Sequence, residues 1–174
     1  MQIISPPSAH AGRVVMLVVV IMGLNLAAVG QSADEIQVKA VLAQLFRGME
    51  FGDSAMVHKC FVSDPAMVTV RTNKEGKTIL ARDGKLSGFL NAVGTPHAET
   101  WYEETWNVKV QIDGQLAQVW CDFAFYRGHK FSHCGVDAFH LFKEGGEWKI
   151  FHLADTRRTA DCAIPADISK KHTP

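Results

Sequence analysis

The sequence predicts an α+β domain in which helices come first and an antiparallel meander comes after them. Three observations carry this. Apolar residues recur at helical spacing from Ile36 to Phe61, and they alternate with polar ones from Trp101 onward. Short glycine-containing turns separate the alternating runs. Helical segments succeeded by strands give an α+β architecture, with the helices on one face of the sheet.

The first helix starts at a capping box, because Ser32 and Glu35 stand three apart ahead of an amphipathic run. Ile36, Val38, Val41, Leu42, Leu45, Phe46 and Met49 make one apolar face, and Gly52 stops the helix. Asp53 caps a shorter second helix carrying Met56, Val57, Cys60 and Phe61. The stretch "SDP" ends the helical region, since proline lacks an N–H and restricts the residue before it. "MVTVRT" and "KTILAR" read as two short strands around the turn "NKEG". Asp83 opens a third helix with Leu86, Phe89, Leu90 and Val93, closed by Gly94. "WNVKVQI", "LAQVWCDFAFY", "FSHCGVDAFHLF" and "WKIFHLAD" then form the meander, turning at "DG" and "EGGE".

Residues 1–30 are set apart from this domain. Arg13 precedes "VVMLVVVIMGLNLAA", an apolar run of signal-peptide length and shorter than the roughly 20 residues a membrane span needs. Ala28 and Gly30 supply the small residues a signal peptidase reads, which makes Gln31 the first residue of the mature chain. An uncleaved anchor, or a start at Met16, is the competing reading. Export to the periplasm or beyond, with no stable membrane insertion after cleavage, is the expectation. The domain then runs over 31–162, and 163–174 is expected to be a flexible tail.

Lys plus Arg and Asp plus Glu balance at 18 each, which argues against nucleic-acid binding, where phosphate contacts need a basic excess. No phosphate-binding loop or dinucleotide fingerprint is present, so no cofactor is indicated. The cysteines are Cys60, Cys121, Cys134 and Cys162. They permit disulfides but allow three pairings, and without a CxxC they do not indicate a zinc ribbon.

The stretch "KFSHCGVDAFHLF" holds the chemistry. Alternation across a strand sends His133 and Cys134 to opposite faces, which argues against a shared metal or a Cys–His dyad. No metal site is expected. With a tight turn at "RGHK", Asp122 falls opposite Gly135 and Trp120 opposite Asp137. Asp122 is then diagonal to both His133 and Asp137, at about 7–8 Å between backbones. One face so reads Trp120, Asp122, Tyr126, His133, Asp137, Phe139 and His152, aromatic walls with a polar centre, and Gly135 leaves space between them. Asp122, His133 and Asp137 are the candidate catalytic residues. A carboxylate near imidazole is expected to raise the histidine's pKa and lower its own. The other face, with Val119, Cys121, Phe123, Phe125 and Cys134, is expected to be a core or a subunit contact. The polar face itself fits either a ligand pocket or a structural hydrogen-bond network at an interface.

"VWCDFAFY", "KFSHCGVDAFHLF" and "GEWKIFHLADTRR", with "LFRGMEFGDSAMVHKCF" and "FLNAVGTPHAETWYEE", resemble the putative lumazine-binding group of the nuclear transport factor 2-like superfamily. The resemblance spans Ala33 to Cys162. It implies a cone-shaped fold, with three N-terminal helices packed on a strongly curved, mainly antiparallel sheet, and dimerisation through that sheet. Relatives include ketosteroid isomerase, dehydratases, polyketide cyclases and non-catalytic binding domains. The family-type positions are Trp120, Asp122, Tyr126, His133, Gly135, Asp137, Asp155 and Arg157, with Cys121 a departure from the pattern. Asp155 and Arg157 share a face, as a surface ion pair or as ligand contacts, and His97 lies either at a pocket mouth or in solvent.

Three functions are consistent with this sequence: an exported small-molecule-binding protein, an acid–base isomerase or dehydratase acting on a small cyclic or hydroxylated substrate, and a non-catalytic interaction module. A homodimer is expected in each case.

Overall fold

The computed structural model describes Met1, Gln2 and residues 32–173, apart from the side chain of Asp83. The expected signal peptide therefore lies almost wholly outside the described residues. Residues 31–174 form a compact unit of their own. No helix among the described residues is long and apolar enough to cross a membrane.

Helix α1 spans Ala33–Phe51, capped by Ser32, whose side chain accepts from the Glu35 amide at 3.1 Å. It ends at Gly52 in the left-handed conformation (φ 67°), which glycine adopts without a Cβ clash. Helix α2, Ser54–His58, is capped by Asp53, which accepts from the Met56 amide at 2.8 Å. Strand β1, Phe61–Thr72, pairs with β2, Thr78–Gly84. Helix α3, Leu86–Gly94, comes next. Strands β3 (Trp101–Asp113), β4 (Leu116–Arg127), β5 (Lys130–Glu144) and β6 (Glu147–Arg157) make the meander. The six strands lie in the order β2-β1-β6-β5-β4-β3. The β1–β6 pair is parallel and the others are antiparallel, so the sheet is mixed.

Three boundaries differ from the sequence reading. Phe61 opens β1 instead of closing α2, and "SDP" lies within β1 where its register to β6 breaks between Phe61 and Ala66. Proline is tolerated there because no ladder N–H is needed at an irregularity. Helix α3 starts at Leu86 with Lys85 as its cap residue, not Asp83. Finally, residues 163–174 hold a helix, α4 (Ala166–Lys171). Its Ile168 is buried in a cluster with Ala124, Tyr126 and Cys134.

Helices α1 to α3 cover one sheet face. Val38, Leu42, Leu45 and Met49 of α1, Val57 of α2 and Val93 of α3 meet Val119, Cys121, Phe123, Phe125, Phe139 and Leu141 of the sheet. The opposite face is partly covered by α4, and elsewhere it leaves Trp120, Leu116, Val108 and Phe151 exposed. Cys134 and Cys162 are joined in a disulfide, and Cys60 and Cys121 are free and buried.

Candidate functional site

The register of β4 on β5 decides which side chains share a face. Arg127 pairs with Lys130 across a two-residue turn, as a tight "RGHK" hairpin requires. Tyr126 then pairs with Phe131, but Phe125 pairs with His133, so Ser132 is an extra residue on β5. This bulge shifts every later pair by one, and a shift of one turns each side chain to the other face. Cys121 lies opposite Asp137, Phe123 opposite Gly135, and Asp122 opposite Val136.

The expected grouping is corrected accordingly. His133, Asp137 and Phe139 line the helix-covered interior, alongside the Phe123 and Phe125 assigned to the other face. Trp120, Asp122, Tyr126 and His152 belong to the outer face or its cover. Trp120 is 52% exposed. Asp122 accepts a 2.7 Å hydrogen bond from Asn107 Nδ2, where β3 is interrupted and Asn107 adopts φ 50°. Its carboxylate holds an irregular strand segment. Tyr126 stacks on His172 at 3.9 Å beneath the C-terminal helix. His152 sits beside His140, its cross-strand partner, with their Nδ1 atoms 2.8 Å apart.

Gly135 is corrected too. A Cβ there would lie 1.8 Å from the Thr156 carbonyl oxygen and 2.8 Å from Phe123. The missing side chain admits β6 backbone, where Arg158 bridges to Cys134, and leaves no gap for a ligand.

The interior is not filled. A cavity of about 440 Å³ lies between the helices and the sheet. Its walls are Phe46 and Met49 of α1, Phe89 of α3, and Phe123, Phe125 and Phe139 of the sheet. Phe46 meets Phe139 edge to face at 6.3 Å. His133 is set between Phe123 and Phe125, with ring centroids 5.6 and 5.2 Å away. His97 is exposed and stacks at 3.9 Å on Trp101, another cavity residue.

Three strands contribute carboxyls to the cavity lining. Asp137 (β5) and Asp155 (β6) are register partners and both are buried, at 3% and 8% exposure. Asp155 is held by Arg157 Nε at 2.5 Å, so the "DTRR" ion pair forms and borders the cavity. Glu103 (β3) was missed by the sequence reading. Its carboxyl hydrogen-bonds that of Asp137, and one of the two must be protonated for this to occur. Burial raises the Asp137 carboxyl well above its usual range, and the neighbouring Glu103 raises it further. Burial likewise lifts Glu103 to about 7, while its hydrogen bond to Asp137 and the charge of Arg157 hold it down. The two form an acid pair sharing a proton near neutral pH.

His133 moves opposite to expectation, down to about 4, first because burial disfavours its cation and then because Arg157 and Arg127 repel it, partly offset by Asp155. Asp137 is raised rather than lowered, first by burial and then because its close partner is another carboxyl and not an imidazolium. At neutral pH the imidazole is therefore neutral, and it can donate or accept a hydrogen bond. Cys121, opposite Asp137, has its thiol pushed up by burial and by that carboxyl, so it is a poor nucleophile. Among the described residues no cluster of His, Cys, Asp or Glu is arranged to hold a metal.

The family can be read once this geometry is in place. A family model described as "Putative lumazine-binding" matches residues 33–152. The chain belongs to that family. Solved structures share the fold of this chain, and some of them are described as nuclear transport factor 2-like. A nuclear transport factor 2-like protein of unknown function from Shewanella baltica OS155 is 16% identical, with TM-score 0.55, over 75% of this chain and all (100%) of that one. A protein of unknown function with a cystatin-like fold from Nostoc punctiforme PCC 73102 is 12% identical, with TM-score 0.58, over 75% and 95%. A structure named Putative Scytalone Dehydratase, from Novosphingobium aromaticivorans DSM 12444, is 13% identical, with TM-score 0.57, over 76% and 90%. At these identities the likeness is one of fold. No curated protein matches the chain.

Proposed function

We propose that this member of the putative lumazine-binding family is an exported small-molecule-binding protein whose ligand enters the cavity and hydrogen-bonds the Glu103–Asp137 acid pair. One observation carries the reading. Asp137 is 3% exposed and borders the cavity, and apart from the Glu103 carboxyl its Oδ2 meets no donor among the described residues. A buried polar atom that lacks a donor costs up to about 1–3 kcal/mol, and two carboxyls sharing one proton leave acceptor capacity that a ligand hydroxyl or ring N–H can fill. The phenylalanine walls supply the apolar contact area that a small ligand needs. Export is supported by the apolar run after Arg13 and by the Cys134–Cys162 disulfide, since such bonds persist in oxidising compartments.

Native mass spectrometry of the protein purified from its own host tests the reading. The expected result is a bound species that is lost or weakened in Asp137→Asn. A clean apo mass, together with no binder in a metabolite screen, contradicts it.

A second reading is acid–base catalysis, as an isomerase or dehydratase on a small cyclic or hydroxylated substrate. The Glu103 pKa of about 7 favours it, because a carboxyl poised near operating pH can both take and return a proton. Glu103 also borders a second concavity, beside Phe46 and Arg47 of α1. Deuterium uptake from heavy water into cyclic ketones, abolished in Glu103→Gln, would be its signature. Uptake no faster than in buffer would dismiss it.

A further inference from the structure

We propose that the cavity selects an amphipathic anion: an apolar ring body inside, and a carboxylate-, sulfonate- or phosphate-like group held at the mouth by Lys85, Arg127 and Arg157. The inference rests on the cavity being a ligand site, and it adds the chemical class of the ligand. All three cations line the cavity, and all three are exposed, whereas Phe123, Phe139 and Asp137 are buried. The exposed end is therefore the basic end. The strand registers bring it together. Trp101 at the start of β3 pairs with Arg127 at the end of β4, and Phe125 pairs with His133. The end of β6, with Arg157, lies beside Cys134 through the Arg158 bridge. Lys85 stands at the start of α3, whose first turn receives no side-chain cap.

The charges do not cancel. Among the described residues Arg157 is paired with Asp155, and Lys85 and Arg127 make no ion pair. Glu99 lies against Gly128 at the hairpin tip, outside the cavity lining. Among the described lining residues, three cations against Asp155 and an acid pair that holds one proton leave an excess of one positive charge, with the cations at the exposed end. Guanidinium and ammonium groups at the rim of an apolar site bind an anion strongly while its ring is desolvated below.

Two fluorescent probes with one ring body separate the possibilities: 8-anilinonaphthalene-1-sulfonate, and the uncharged N-phenyl-1-naphthylamine. Gly88 lies on α3 in the cavity lining, with nothing within 4 Å of a Cβ built there, so Gly88→Trp adds a bulky ring at the cavity wall without a clash at Cβ and serves as the variant meant to block it. The expected result is that the sulfonate binds at least tenfold more tightly than the neutral probe, at a site lost in Gly88→Trp. Lys85→Gln and Arg127→Gln should each remove several-fold of that preference, and the double variant nearly all of it, with the neutral probe's Kd unchanged. Equal affinity for both probes at a Gly88→Trp-sensitive site overturns the anion preference but leaves the cavity as a ligand site. A preference that survives the double variant also overturns it. If neither probe binds in a Gly88→Trp-sensitive way, the underlying ligand-site reading falls as well.

Discussion

Asp137 concentrates the chemistry of this molecule in one side chain. Its burial and its carboxyl neighbour make the neutral acid the favoured form, and Glu103 shares the consequence. In Asp137→Asn the amide can still donate to Glu103 and the burial that lifts Glu103 is unchanged, so its pKa should stay raised, near 7. Carbon-13 NMR titration of the Glu103 carboxyl reads this directly, and a value in the ordinary glutamate range would show that burial is not what raises it. The same residues fix the pH dependence of stability, with opposite signs. The carboxyls have raised folded pKa values, so their contribution is intact below about pH 4 and is lost as pH rises through 7. His133 has a depressed folded value, so its contribution is present above 6.5 and is lost as pH falls through about 4. The two slopes oppose each other between pH 4 and 6.5. His133→Gln should therefore leave a variant whose stability falls more steeply with rising pH across that window than the parent's, as tracked by urea denaturation. Parallel curves for the two proteins would show that His133 titrates normally in the fold.

At the level of elements, one bulge divides what the sequence revealed from what it concealed. The capping box of α1, the Asp53 cap of α2 and the meander were legible because each rests on local chemistry: a side-chain acceptor three residues from an amide, or a period of two. Which β4 residues join the His133 face depends on one extra residue, Ser132, that alternation does not register. Carrying β4 forward by one residue puts Asp122 outside and Phe123 inside, and it leaves Glu103 as the missing acid, two strands away on β3. The sequence held a hint, since the run Val119, Cys121, Phe123, Phe125 is too apolar for a solvent-facing edge and belonged with the core. Gly135 marks the same crossing. Gly135→Ala would drive a methyl group into the Thr156 carbonyl, so it should cost about 3 kcal/mol or prevent folding. Chemical denaturation checks this, and a near-neutral result would mean that β6 does not pass so close.

The whole molecule presents two faces with different covers. Helices α1 to α3 close over the cavity, while α4 covers only the Tyr126 end of the opposite face. The Cys134–Cys162 bridge, 28 residues apart in sequence, pins the segment leading to α4, and a loop of that length is worth about 3–4 kcal/mol. Replacing both cysteines with serine should reduce stability by that order and open residues 163–173 to protease, while probe binding at 25 °C changes little. Unchanged protease resistance would mean that Ile168 and His172 hold the segment alone. The remainder leaves Trp120, Phe151, Leu116 and Val108 exposed, and we propose that a second copy of the chain buries it. Trp120→Glu should then shift light scattering from dimer to monomer at micromolar concentration, and a monomeric parent would refute the dimer.

The ligand site itself is tested most directly by a crystal structure of the protein taken from its own host, refined to a resolution that separates solvent from ligand. The expected result is continuous density for a small molecule in the 440 Å³ cavity, with a hydrogen-bond donor on Asp137 Oδ2 and ring contacts to Phe123 and Phe139. A cavity holding only ordered water, with Glu103 and Asp137 apart and both solvated, would contradict it.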